Sequence, residues 1–296
     1  MLFCNMNSRR TFLKQSGLFA ATVAIAPSFA CTPVAKKAIG LQLYSLRDVI
    51  KNDITSIISK VAAIGYKEVE TFSYSAKNGF WGLDAKAFKA LLDQHGMSSP
   101  SGHFEMGEYM SGKNTDVLKA YIEAANILGS TYVTVPWLDG NVRKTADDYK
   151  KIAAKLNEAG NLCKASGLKI AYHNHDFEFK KFGDTTGFEI LLNETDKKLV
   201  DFELDLYWAV RSEINPIDLF NAHPKRFTMF HVKDMDKGNK ALNAEVGQGS
   251  IDFKNILTGA KQAGVKHYFV EHETNYKPDV MGSVKSSFDY VNTQLL

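Results

Sequence analysis

The chain is 296 residues long, 45% apolar, and carries 36 Lys and Arg against 33 Asp and Glu. Charge this close to balance excludes a surface built to grip nucleic-acid phosphates. Three cysteines, at positions 4, 31 and 163, offer no disulfide framework.

The amino terminus reads as an export signal. Ser8-Arg9-Arg10-Thr11-Phe12-Leu13-Lys14 resembles the twin-arginine motif, and an uncharged stretch from Gly17 to Ala26 follows it. That stretch falls far short of the roughly 20 apolar residues of a membrane-spanning helix. Ser28-Phe29-Ala30 supplies small residues for cleavage, which would leave Cys31 first, the position lipidated in bacterial lipoproteins. Ser28 stands where the lipobox pattern usually has Leu, so soluble periplasmic export and a lipid anchor through Cys31 are both open. Removing residues 1–30 takes away Arg9, Arg10 and Lys14 but no acidic residue, so the charges of the mature chain cancel. Residues 31–37 then serve as a linker.

Residues 38–296 are expected to form one domain, because no Pro/Gly/Ser-rich linker or charge run divides them. The first strand is IGLQLYS at 39–45, followed by a helix over 51–64, and YKEVET begins the second strand after Gly65. A helix over 84–95, Gly96 and MSSPSGH come next, then a helix over 115–128, Gly129 and STYVTV. The pattern continues with a helix over 145–166, Gly167 and LKIAYH, a helix over 186–193, and LVDFELD at 199–205. It closes with a helix over 215–222, RFTMFHV at 226–232, a helix over 252–263, Gly264, VKHYFVE and a last helix over 282–293. Gly suits the left-handed residue that ends a helix, so each helix–Gly–strand phrase marks a joint. Eight alternating β and α units in about 260 residues fit a (β/α)8 TIM barrel better than a doubly wound sheet.

Four apolar runs of the second half end in groups that bind metals or move protons: IAYHNH at 170–175, FELD at 202–205, FHVKD at 230–234 and YFVEHE at 268–273. A buried strand gains by ending in Val or Ile, so His, Asp and Glu at four successive strand ends point to one shared site. In a TIM barrel those carboxyl-terminal strand ends carry the chemistry. The bland alternative is that they are salt bridges and helix caps at the barrel mouth.

LQLYSLRD, FHVKDMD, the following VGQGSIDF and the VEHE ending resemble the sugar isomerase/epimerase branch of the xylose isomerase-like TIM barrels, a superfamily that also contains endonuclease IV. The resemblance covers about residues 38–296. It implies one divalent ion held from strands five to eight, with Asp205, His231 and Glu271 matching the sixth-, seventh- and eighth-strand ligands. The fifth-strand Glu of the keto-sugar 3-epimerases has no Glu counterpart; His173 stands in its place, with His175 two residues on as the rival. Two His and two carboxylates suit Zn, Mn, Co or Fe and disfavour Mg or Ca. Trp208 occupies the place of a His that a three-metal nuclease site requires, which argues against nucleic acid and for a sugar-stacking face.

Such an ion can polarise a carbonyl and stabilise an enediolate. The expected reaction is therefore sugar isomerisation or epimerisation of a small-molecule carbohydrate, begun by Glu271 as base. Loss of the fifth-strand Glu removes the second base of the epimerases, which brings forward β-elimination or hydration of a 3-keto-glycoside. A non-catalytic carbohydrate-binding barrel is a further alternative. Lys233, its pKa depressed near a dication, and His175 are candidate proton carriers. Glu70, His103, Trp208, Glu178 and Asp234 are candidate substrate contacts. His95, His223, His267 and His272 are expected at the surface or in turns. Nothing in the pattern specifies an oligomeric state.

Overall fold

The structure, a computed structural model, describes residues 37–296. The segment expected to be an export signal and the cysteine at position 31 lie outside the described residues. Among the described residues no helix is long and apolar enough to cross a membrane.

Eight parallel strands close into a barrel: β1 Gly40–Gln42, β2 Glu68–Thr71, β3 Ser98–His103, β4 Tyr132–Val135, β5 Lys169–His173, β6 Val200–Asp205, β7 Phe227–Val232 and β8 His267–Val270. They follow one another in chain order around the barrel, and β1 pairs with both β2 and β8. The (β/α)8 expectation is thus met. Helices fall within a few residues of the expected spans, including Ile54–Ile64, Ala85–Gln94, Asp116–Leu128 and Ala146–Ala165. The glycines expected to end helices, Gly65, Gly96, Gly129, Gly167 and Gly264, all have positive φ, where a Cβ would be strained.

Three local departures have physical causes. The run 39–45 gives only a three-residue strand, because Gln42 turns its side chain back to accept from the Tyr44 backbone N–H and starts a 3₁₀ turn over Leu43–Leu46. The helix expected over 252–263 divides at Gly259, whose close approach to the Phe220 ring leaves no room for a Cβ. A short helix, Leu206–Arg211, follows β6 directly, begun by Asp205 as its N-cap.

The barrel interior is layered. Tyr132, Ala171, Met229 and Phe269, from β4, β5, β7 and β8, form a separate buried apolar cluster. Side chains on a strand face alternate, so the next inward residues on these strands are Thr134, His173, His231 and Glu271. One further step brings His175, Lys233 and Glu273, where the strands have ended. The polar cluster therefore rests on an apolar plug.

Asp234, expected to touch substrate, does other work. Its carboxylate accepts backbone N–H groups from Met235, Gly247, Gly249 and Ile251 at 2.8–3.1 Å, and so ties down the long loop after β7. Gly249 packs so tightly on it that an added Cβ would meet Asp234 Oδ1 at 2.2 Å. Replacing Asp234 by Ala would strand several donors, and at about 1–3 kcal/mol for each buried unsatisfied group the loss should reach several kcal/mol. We expect a clear drop in the urea midpoint for Asp234→Ala and a smaller one for Asp234→Asn, which keeps one acceptor oxygen.

Candidate active site

The polar layer centres on His231, which is completely buried at the end of β7. Its Nε2 lies 2.8 Å from Glu70 Oε2 and 3.2 Å from Glu203 Oε2, while Nδ1 lies 3.0 Å from Glu271 Oε2 and 4.0 Å from Asp205 Oδ2. Burial opposes a charge on this imidazole, but Glu203 and Glu271 outweigh it and raise the pKa well above the ordinary His value. One imidazole thus links four carboxylates from three strands or strand ends.

Two overlapping donor sets meet on it. His103, His173, Glu203 and His231 place ligand atoms within 4.8 Å of one another, and so do Asp205, His231 and Glu271. His103 Nε2 is 2.7 Å from Glu203 Oε2 and 3.1 Å from Glu70 Oε2, and its ring stacks 5.3 Å from that of His231. The expected set of His173, Asp205, His231 and Glu271 is therefore divided, with His173 in the first group and Asp205 and Glu271 in the second. Glu203, which sequence reasoning passed over, belongs to the first. It stands two residues before Asp205 on one strand face, and that alternation was the available signal.

Three buried atoms of these sets have no hydrogen-bond partner in the protein: His173 Nδ1, Glu203 Oε1 and Asp205 Oδ2. His173 Nδ1 is 3.2 Å from Glu203 Oε2, yet without hydrogen-bond geometry. Unsatisfied buried groups cost about 1–3 kcal/mol each, so converging ones suit a ligand that uses their lone pairs. Burial presses the His173 imidazole down to a pKa of about 3, with charged His231 adding to the effect. A neutral imidazole is the form that ligates a metal. The mixed nitrogen and oxygen donors suit Zn, Mn, Co or Fe.

Asp205 has two functions at once. Its Oδ1 accepts the N–H groups of Tyr207 and Trp208 at 2.8 and 3.1 Å, capping the helix Leu206–Arg211, while Oδ2 faces His231 and Lys233. The capping reading of Asp205 is met through Oδ1, and Oδ2 stays without a hydrogen-bond partner toward the cluster.

Glu70 lies fully buried below the cavity. It accepts from Gln42 Nε2 at 2.6 Å and from the Ser101 hydroxyl, and binds His231 and His103. Burial raises its pKa, and nearby Glu203 raises it further. It supports the donor sets from beneath.

Lys233 sits among carboxylates. Its ammonium is 3.3 Å from Glu271 Oε2, 4.0 Å from Asp205 Oδ2, and also paired with Glu273. Burial works to lower its pKa, but the carboxylates of Glu271, Glu273 and Asp205 prevail and raise it. Lys233 is held as a cation, and with His231 it keeps Glu271 ionised well below the usual carboxylate range despite burial.

His175 stays outside both donor sets. Its ring stacks on Phe177 at 5.4 Å and lies 5.4 Å from Trp208; burial, helped by His173 and Lys233, keeps it neutral, and its Nδ1 has no partner. Glu178 is fully buried, accepting from the Tyr172 hydroxyl at 2.5 Å and the His175 N–H at 2.9 Å, so it fixes the loop rather than facing substrate. Trp208 packs behind His175 and Lys233, the latter 5.3 Å from its ring, which occupies the face expected to stack on sugar. His272 is buried, against expectation, with its ring 5.2 Å from Tyr276.

A cavity of about 450 Å³ opens above the cluster, walled by Tyr44, His103, Trp137, His173, His175 and Glu271 among others. It is large enough for one sugar ring. The fold and site thus define an α/β barrel with a buried His/Glu/Asp cluster suited to a divalent ion at its catalytic face.

Residues 58–292 match the family model of the xylose isomerase-like TIM barrel, and the chain belongs to that enzyme family. It is 26% identical over 242 residues to an inosose dehydratase of Clostridium botulinum (strain Alaska E43 / Type E3), across 70% of this chain and 77% of that one. A sugar phosphate isomerase/epimerase from Parabacteroides distasonis superposes with a TM-score of 0.77 at 28% identity, covering 89% of this chain and 96% of its own. A structure titled IOLI protein with a binding zinc atom shares the fold at 17% identity and a TM-score of 0.67, covering 85% and 95% of the two chains.

Proposed function

We propose that the protein is a divalent-metal-dependent lyase or hydratase that removes water from, or adds it to, the carbons beside a carbonyl in a cyclic keto-polyol or keto-sugar. The observation that carries this reading is that the fifth strand ends in an imidazole, His173, where the epimerases it resembles carry a second carboxylate. The dehydratase name of the C. botulinum relative agrees with it. The isomerase/epimerase name of the P. distasonis neighbour shares the first step, proton removal next to a carbonyl, and isomerisation or epimerisation is the second reading.

The ion would be held by His231 with members of the two donor sets that share it. When bound, it supplies a Lewis acid for the substrate carbonyl. Glu271, on the cavity wall and paired with the Lys233 ammonium, takes the proton beside the carbonyl. The carboxyl so formed can pass that proton to the departing hydroxyl on the same face, and water leaves without a carrier opposite. Lys233 stays protonated behind Glu271 and pairs with the carboxylate that is restored when the proton leaves with the water. His175, neutral and with an unused ring nitrogen, borders the departing group's side of the cavity wall as hydrogen-bond partner. The amino-terminal pattern of residues 1–30 supports export to the periplasm or envelope as part of this proposal.

The test follows a 2-keto-cyclitol and a 3-keto-glycoside by NMR in D₂O, with the metal-loaded protein. Formation of an enone with loss of water from the keto-cyclitol, or with loss of the aglycone alcohol from the 3-keto-glycoside, supports the lyase reading. Deuterium uptake with inversion and no water loss would instead establish epimerisation.

A further inference from the structure

Beside the catalytic cavity lies a second, larger one that the proposed reaction does not use. It measures about 990 Å³ and is formed by the loop between β2 and the helix Ala85–Gln94, with Lys51 and Glu105 at its rim. Ser73 and Glu105 belong to the walls of both cavities, so the two are contiguous. Its volume exceeds what one ring in the catalytic cavity needs.

An aromatic path runs from one to the other. Tyr44, 40% exposed at the catalytic cavity, meets Phe72 edge to face at 5.2 Å, and Phe72 meets Trp81 at 5.0 Å inside the second cavity's wall. Trp81 Nε1 is a buried donor with no acceptor in the protein. Ser73 and Trp81 both sit at positive φ, at 61° and 50°. Non-Gly residues hold such conformations only where the surroundings fix them, and they gather at ligand sites. Aromatic faces beside hydroxyl, amide, ammonium and carboxylate groups, here Ser75, Asn78, Lys51 and Asp84, are the chemistry that receives a sugar ring: stacking for its C–H face and hydrogen bonds for its hydroxyls.

We infer that this second cavity binds the ring attached through a glycosidic bond to the reacting keto-sugar, so that the substrate is a two-ring glycoside and not a monocyclic ketone. The inference rests on the proposed reaction for the identity of the first ring. Trp81 supplies the unused N–H to a hydroxyl of the second ring, and Tyr44 and Phe72 line the passage between the two.

The experiment compares a free 3-keto-hexose with the 3-keto-disaccharide of the same ring, using the full metal-loaded chain, and adds calorimetric binding of the unoxidised disaccharide. We expect kcat/KM for the disaccharide to exceed that for the free ketone by about tenfold or more, and Trp81→Ala to bring the ratio towards one. Ala76→Trp, at an exposed position on the cavity lining, should fill the space and do the same even if Trp81→Ala fails to fold. Equal kcat/KM values in the unaltered protein, or a ratio that Ala76→Trp leaves unchanged, would overturn the inference. If neither ketone reacts but the disaccharide binds, and Ala76→Trp abolishes that binding, the second-ring site stands and it is the proposed reaction that has failed.

Discussion

Glu271→Gln should reduce turnover of the keto substrate by about 10³-fold or more while the protein stays folded, because general-base catalysis by one positioned group contributes roughly 10²–10⁴-fold. Glutamine preserves the shape of the side chain but cannot accept a proton from carbon. The change also places an amide beside Lys233 Nζ, now 3.3 Å from the Glu271 carboxylate, and beside His231 Nδ1 at 3.0 Å. Deuterium uptake next to the carbonyl reads the base separately from water loss. If Glu271 is the base, Glu271→Gln loses both signals together. Persistence of deuterium exchange in the variant would move the base to His175, the neighbouring neutral imidazole with an unused ring nitrogen. His175→Asn then becomes the deciding substitution.

The second large effect concerns the donor sets. His231 is common to both, so His231→Ala should abolish bound metal by elemental analysis and activity with it, whichever set holds the ion. It should also destabilise the barrel, because Glu70, Glu203 and Glu271 would lose their shared cationic partner in a buried layer. Breaking a buried ion pair from one side costs roughly 3–5 kcal/mol, so a marked fall in the urea midpoint of the metal-free protein is expected. Glu203→Gln and Asp205→Asn divide the two sets: the variant that loses metal names the set in use. Full metal content in His231→Ala would sink the metal site altogether.

Much of this architecture could be read from the sequence because the signals are local. A glycine after each helix is a backbone requirement, and Gly65, Gly96, Gly129, Gly167 and Gly264 all show the positive φ it implies. His173, Asp205, His231 and Glu271 stand out because apolar strands have no reason of their own to end in such groups. What escaped is one layer down or one shell out. Glu203 meets His103 across the barrel interior, and Glu70 meets Gln42 and Ser101 through the register of neighbouring strands, pairings that no single segment of sequence displays. Asp234 and Glu178 look the same in sequence as substrate contacts, and only the four backbone N–H groups on Asp234, and the His175 N–H and Tyr172 hydroxyl on Glu178, show that they hold loops. The carboxylates that hold Lys233 as a cation in the metal-free protein come from β6 and from beyond β8, far away in the chain.

The divided carboxylate of Asp205 carries a consequence for folding order. With Oδ1 committed to the first turn of Leu206–Arg211 and Oδ2 turned to the cluster, whatever draws on the second oxygen also reinforces the first turn. Loading the site and ordering this segment are thus thermodynamically reciprocal. Backbone amides of Tyr207 and Trp208, although they touch no substrate, become natural reporters of occupancy through their rate of exchange with solvent.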